Sequence, residues 1–239
     1  MTWVFCAGMI RSGSTLQYQL ASSIVEHSGL GHRVKYAPES EFEMVLDRHT
    51  NDTGLKVFKA HVCTGKLYDL AKSGQAKVIY SYRDIRDVAV SAMKKFDKSF
   101  DELVNAGWLD QAITDYYAWT NMPHVLVSRY EEMNSNLTQE LSRIAVCLGL
   151  IVNTETLSKL AEQYDIPAQL QRIDALKRRY GQRTDESDIV FDEDELLHHN
   201  HIHKGEVGGW KNQLTPLQQH YLTGRYSQWL LSLGYDVEH

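Results

Sequence analysis

Cysteine is scarce, with three in 239 residues, an odd number at widely separated positions. That excludes a disulfide framework, and Cys6 and Cys147, set in apolar runs, read as small core residues of a reducing compartment. No apolar run approaches the length of a membrane span, and no basic segment leads into an apolar stretch at the N-terminus. Neither a transmembrane helix nor a secretory leader is expected, and the expected location is the cytoplasm. The sequons at Asn51 and Asn136 then read as chance. An excess of positive charge is also missing: Lys and Arg total 25 against 31 for Asp and Glu, a net −6. There is no global electrostatic case for a nucleic-acid or anionic-membrane partner, so any polyanionic ligand must be held by a local cluster of cations. Internal repeats and low-complexity linkers are absent.

What remains is ordinary globular composition, 43% hydrophobic and 23% charged, in a length suited to one domain over 1–239. Strand-like runs at 3–7, 33–36, 55–58, 77–82 and 124–128 alternate with helical patterns at 15–27, 40–48, 66–72, 85–95 and 109–120. Parallel neighbours need crossover helices, so this order predicts an α/β fold, a three-layer sandwich around a mostly parallel sheet. Beyond Tyr130 the chain turns helical. Asn136 caps a helix that Gly149 ends, and further helices are expected at 154–164, 167–180 and 216–233.

The stretch 181–209 has no clean period. It carries seven carboxylates between Asp185 and Glu195, then His198, His199, His201 and His203. The histidines lack the paired spacing of a closed zinc site, so a solvated polar loop is favoured over a metal centre, and a mobile lid over a ligand is expected.

Three segments carry chemistry. The first, Gly8-Met9-Ile10-Arg11-Ser12-Gly13-Ser14-Thr15, follows an apolar strand and opens a helix, whose first N–H groups and positive dipole end attract phosphate. A Walker loop needs a lysine before its Ser/Thr, and here Arg11 is the only cation, so the turn is either an anion site without Mg²⁺ or an ordinary capped connection. In the second, Arg83 emerges from the end of a strand and Ser91 lies two turns into the next helix, at the edge where open α/β sheets bind ligands. A surface ion pair between Arg83 and Asp87 is an equal alternative. The third, Lys204-Gly205-Glu206-Val207-Gly208-Gly209-Trp210-Lys211-Asn212, lets backbone approach a ligand with charge nearby, or is simply a basic turn.

In this order the three segments resemble the sulfotransferase family that uses 3′-phosphoadenosine 5′-phosphosulfate (PAPS), across positions 8–215. The resemblance implies a P-loop NTPase-like fold. It implies a 5′-phosphosulfate loop at Arg11, Ser12, Gly13, Ser14 and Thr15, and a 3′-phosphate site of Arg83, Ser91, His203, Lys204 and Gly205. Tyr130-Glu131-Glu132-Met133 is similar to a family segment whose tyrosine lies near adenine. Phe58-Lys59-Ala60-His61 resembles the lysine and histidine that act on the transferring group and the acceptor hydroxyl. Without the family it is a strand end with an exposed lysine and a partly buried histidine. An imidazole titrates near pH ~6.5 and can accept a proton at neutral pH, so His61 leads as general base. Glu39 and Glu41 stand where carbohydrate-acting branches carry a glutamate base, and rank behind it.

The sequence departs from that pattern in three places: Arg11 replaces a lysine, Leu16 an adenine-stacking tryptophan, and His203 an arginine. The implied reaction is sulfuryl transfer from PAPS to a hydroxyl or amine of a small-molecule or carbohydrate acceptor, releasing 3′,5′-ADP (PAP), with no metal required. Lys59, His61 and Arg11 are the expected catalytic residues. Trp108, Tyr116, Tyr117 and Trp119 either line the acceptor pocket or, as favoured, pack in the core. A P-loop kinase or hydrolase is disfavoured by the missing Walker lysine, and a non-catalytic nucleotide-binding module by the intact Lys59 and His61.

Overall fold

The computed structural model describes residues 2–34, 37–63, 65–180, 191–192, 194–198 and 205–237. Five parallel strands form the central sheet in the order β2-β3-β1-β4-β5. They are β1 (Thr2–Gly8), β2 (Gly31–Arg33), β3 (Leu55–Lys59), β4 (Ala76–Tyr82) and β5 (Val125–Arg129). The run Trp3-Val4-Phe5-Cys6-Ala7 is buried throughout because β1 is the middle strand and both its faces are covered. Successive side chains point to opposite faces. Val4 and Cys6 join Val57 and Ile79 against α1 (Ser14–His27), α8 (Leu137–Leu148) and α9 (Thr154–Glu162). Trp3, Phe5 and Ala7 join Phe58, Val78 and Tyr80 under α2 (Phe42–Arg48), α3 (Gly65–Lys72), α4 (Ile85–Phe96) and α6 (Trp108–Thr120). Phe5 meets Phe42 and Trp119 edge-on at 5.5 and 6.3 Å, packing whose loss in a Phe→Ala change costs about 3–5 kcal/mol.

The topology places one site. β1 leads through α1 to β2 on one side, whereas β3 leads through α3 past β1 to β4 on the other. The carboxyl end of β1 therefore lies at the switch point where such sheets bind ligands.

Several elements differ from the sequence-based expectation. The second strand ends at Arg33 rather than Tyr36, and residues 35 and 36 lie outside the described part. The last helix is two, α12 (Pro216–Arg225) and α13 (Ser227–Ser232). Between them the Tyr226 hydroxyl donates to Asp110 Oδ1 at 3.0 Å, and the backbone leaves the helical region. Three short helices went unread: α5 (Phe100–Asn105), α7 (Tyr130–Ser135) and α11 (Trp210–Gln213). Helix α10 spans Ile166–Tyr180. Of the expected lid at 181–209, residues 181–190, 193 and 199–204 lie outside the described part. Its described portion includes a small antiparallel pair, β6 (Phe191–Asp192) and β7 (Leu197–His198).

Candidate active site

The carboxyl edge of the sheet opens into a cleft of about 1090 Å³ that reaches from the α1 layer to the α4/α6 layer. Its floor is the turn between β1 and α1. There the Ser12 hydroxyl bonds the Met9 carbonyl at 2.7 Å, the Ser81 carbonyl at 2.9 Å and the Ser81 hydroxyl at 2.8 Å. Ser12 is fully buried, so its side chain shapes the loop while Gly13, Ser14 and Thr15 line the cleft. Gly13 precedes α1 at φ 81°, and a Cβ there would stand 2.8 Å from the Tyr130 ring. Glycine is required at that point on both counts. Having no side chain, it also offers no acceptor to the first-turn N–H groups of α1.

Arg11 is held in the left-handed region at φ 62°, and its Nε donates to Ser91 Oγ at 3.0 Å. The first and second sequence segments thus meet through a side chain. Burial, then the neighbouring Arg83 charge, brings the Arg11 guanidinium down to about 10. Arg83 is only 7% exposed. It stacks 4.3 Å over the Tyr130 ring and donates to the carbonyls of Glu206 at 2.5 Å and Arg11 at 3.4 Å. Its buried Nε has no partner among the described residues.

The suspected pair of Arg83 and Asp87 exists at 3.7 Å, but it is buried rather than superficial. Asp87 spends its oxygens elsewhere, accepting from Gly208 N at 2.7 Å and Trp210 N at 2.9 Å. Burial raises the Asp87 pKa against the pull of Arg83 and these two N–H groups. The second segment therefore clamps the third, and the contact is strengthened by Arg86 stacked 3.8 Å over the Trp210 ring. Gly205 lines the same wall at φ 62°, its carbonyl 3.4 Å from the Tyr130 hydroxyl. His203 and Lys204 lie outside the described residues.

Lys59 and His61 line the same cleft. Lys59 ends β3 and is buried rather than exposed, bonded to the Thr15 hydroxyl. His61 is the exposed member of the pair. It lines the cleft, and its carbonyl accepts from Trp119 Nε1 at 3.2 Å. Glu41 is exposed and is not among the cleft-lining residues, and the Glu39 side chain lies outside the described part. The aromatic helix divides: Trp108 lines the cleft, Trp119 is core, Tyr116 packs at the core margin and Tyr117 is exposed.

The structure adds residues that sequence reasoning missed. Lys94 and Lys95 bring further cations to the cleft from the turn of α4 after Ser91. Burial, then Arg11, lowers the Lys95 ammonium to about 8. Asp115 faces the cleft beside Gln111, and burial raises its pKa. At the other end, beside Leu16, the Gln19 amide accepts from Gln169 at 2.5 Å and donates to the Glu195 carbonyl at 2.8 Å. A helical spacing of Ser91, Lys94 and Lys95 was the one readable signal among these.

Known proteins share this architecture. Cytosolic sulfotransferase 1 of Arabidopsis thaliana is 26% identical over 258 residues, which cover 90% of this chain and 74% of that protein. The curated relatives that match are spanned by the chain over about half to three quarters of their length. In fold, the crystal structure of mouse sulfotransferase SULT7A1 complexed with PAP aligns at a TM-score of 0.70 and 20% identity, over 95% of this chain and 83% of that one. Retinol dehydratase in complex with retinol and PAP aligns at 0.61 and 18%, over 99% and 83%. The model of the sulfotransferase domain matches residues 2–234, and a match so nearly end to end means that this chain belongs to the sulfotransferase family of enzymes.

Proposed function

We propose that the chain transfers the sulfuryl group of PAPS to a hydroxyl or amine of a small-molecule or carbohydrate acceptor, releasing 3′,5′-ADP, in the cytoplasm. The observation that carries the reading is the meeting of two groups on one cleft. A glycine-started helix with Arg11 and Arg83 lines it, together with His61 and with Lys59, which is bonded to the Thr15 hydroxyl of that helix. The buried, unpartnered Nε of Arg83 is the donor that a second phosphate would satisfy, which fits a nucleotide with phosphates at both 3′ and 5′ positions.

PAPS supplies an activated sulfuryl group, and charge grows on its bridging oxygen as the bond to sulfur breaks. The chain's part is preorganised positive potential, as in phosphoryl transfer. Arg11 and the start of α1 face the 5′ end. Lys59, bonded to the Thr15 hydroxyl, reaches the sulfuryl oxygens. Arg83, Ser91 and Gly205, with His203 and Lys204, receive the 3′-phosphate, and Tyr130 lies near the adenine. His61, exposed to the acceptor, takes its proton. On the acceptor side Phe96, Trp108 and Ala112 supply apolar wall, which suits a small acceptor of the kind that retinol dehydratase binds beside PAP.

The test is calorimetry with 3′,5′-ADP and AMP, in EDTA, on wild type and Arg83→Ala. Charge-assisted hydrogen bonds contribute roughly 1.5–3 kcal/mol each, so two to the 3′-phosphate give a preference on the order of 10²–10⁴ over AMP. Comparable affinities, or binding that needs Mg²⁺, would overturn the assignment of Arg83 and Ser91 to a 3′-phosphate. Labelled sulfate transfer from PAPS into an extract of the source cell identifies the acceptor. Tight 3′,5′-ADP binding with no labelled product from any extract would favour the non-catalytic module.

A further inference from the structure

At the amino-terminal end of the strands, away from the cleft, three side chains that sulfuryl transfer does not use come together. His32 stands in β2, His49 follows the last turn of α2, and Asp52 lies in the connection to β3. Asp52 Oδ2 is 2.5 Å from His49 Nδ1 and 3.3 Å from His32 Nε2. The two imidazole rings are 5.5 Å apart, and one ligand atom from each residue falls within 4.8 Å of the others. We propose that His32, His49 and Asp52 form a binding site for a divalent transition metal of the zinc type, which pins the edge strand β2 to the chain between α2 and β3.

The donor set and spacing point that way. Bonds of about 2.0–2.1 Å in a tetrahedron put neighbouring ligand atoms about 3.3 Å apart. The separation of Asp52 from His32 already has that value, and the closer contact to His49 opens when a metal replaces the shared proton. Two imidazoles and a carboxylate suit Zn²⁺, Ni²⁺ or Cu²⁺ rather than Ca²⁺ or Mg²⁺, which take oxygen donors, and water completes the fourth position.

The supports are also present. The Trp3 ring lies edge-on to His49 at 6.2 Å. The Asp52 N–H donates to the His49 carbonyl at 3.2 Å, and Lys56 Nζ donates to the Asp52 carbonyl at 3.2 Å. Lys56 is the cation that opposes a second positive charge here, and Asp52 offsets it. β2 is three residues long and, among the described residues, pairs only with β3, so a link across these segments ties down a short edge strand.

Full-length, metal-free protein is titrated with Zn²⁺ and Co²⁺ at neutral pH, reading stoichiometry, melting temperature and the visible bands of four-coordinate cobalt. One equivalent should bind at this site and Tm should rise, because a ligand that binds only the folded state stabilises it. His32→Ala and Asp52→Asn should each weaken Zn²⁺ binding by at least the ~10–100-fold that the loss of a supporting group costs. The Tm of each metal-free variant checks that it folds, and the near-isosteric Asp52→Asn covers a failure of His32→Ala. A combined His199→Ala, His201→Ala, His203→Ala variant should keep that equivalent. No stoichiometric binding, binding that survives Asp52→Asn, or binding lost in the combined variant would overturn the proposal.

Discussion

The two ends of the cleft are built differently. At the end proposed to hold the nucleotide, the polar groups hold one another: Ser12 is held by Ser81, Arg11 by Ser91, and the Gly208–Trp210 backbone by Asp87. At the end proposed to face the acceptor, His61 is exposed, its carbonyl accepts from Trp119, and Gln111 donates to Asp115. Under the proposed function, the donor is met by a hydrogen-bonded frame that spans the first, second and third sequence segments, and the acceptor by a more open surface. The lesson is that preorganisation is concentrated where charge develops.

Breaking the acceptor end should cost the most. His61→Ala should lower transfer to a hydroxyl about 10²–10⁴-fold with 3′,5′-ADP affinity unchanged, because a base acts on the acceptor and not on the nucleotide. Paired assays of turnover and calorimetric affinity check this, with Glu41→Ala expected to retain full rate. An active His61→Ala alongside an inactive Glu39→Ala or Glu41→Ala would move the base to a carboxylate. Next, Arg11→Ala should slow turnover about 10²–10³-fold while affinity for 3′,5′-ADP falls much less, since its partner charge appears only as the bond breaks. Equal losses in both would make Arg11 a positioning group.

Smaller effects sharpen the contrast through pH. Lys95 is charged only below about pH 8, so its attraction for a polyanion fades as pH rises through that value. Affinity for 3′,5′-ADP should drop a few-fold across it, and Lys95→Met should flatten the profile. The stability trend has the opposite sign. The unfolded chain holds this proton up to the ordinary lysine range, so the empty protein gains stability from about pH 8 upward. A pH-independent wild-type affinity would place Lys95 away from the nucleotide. The smallest change is expected at Asp115, whose raised pKa means that its ionised form is disfavoured in the fold. Asp115→Asn should raise Tm slightly at neutral pH and lose that gain in acid, where the carboxyl is protonated in both states. A lower Tm at neutral pH would show that the carboxylate is a structural partner of Gln111.

What could be read from the sequence follows the same division. The turn at Arg11–Thr15 and the Arg83 to Ser91 spacing were legible because each is a short run set by one strand and its adjoining turn or helix. Four of the five sheet strands were legible for the same reason, as apolar runs between helical patterns, whereas β2, expected at 33–36, lies at Gly31–Arg33 and is only half-buried. Lys59 and His61 stood out only through the family resemblance, the residues alone suggesting an exposed lysine and a partly buried histidine, the reverse of what the fold shows. The clamp at Asp87 was not legible, since its partners lie more than a hundred residues away and nothing local marks them. Lys95 and Asp115 looked like ordinary polar positions on helices, and only the packing of α4 and α6 turns them to the cleft. The break at Tyr226 escaped because the apolar period runs straight through it. By contrast α5 was readable and missed, for Ser99 and Glu102 form a capping box three residues apart.

Arg11 sits in the fold at a disadvantage on two counts. Its backbone holds a left-handed φ of 62°, which costs a non-glycine residue about 1–3 kcal/mol, and its half-buried guanidinium feels the charge of Arg83. Glycine there would relieve both. A search for heat-resistant variants would therefore tend to collect replacements at this position, and consensus-style stabilisation would erase the charge that the proposed reaction uses. Thermal tolerance and turnover pull this one residue in opposite directions, so any engineering of the chain for robustness has to hold Arg11 fixed and look for its gains elsewhere.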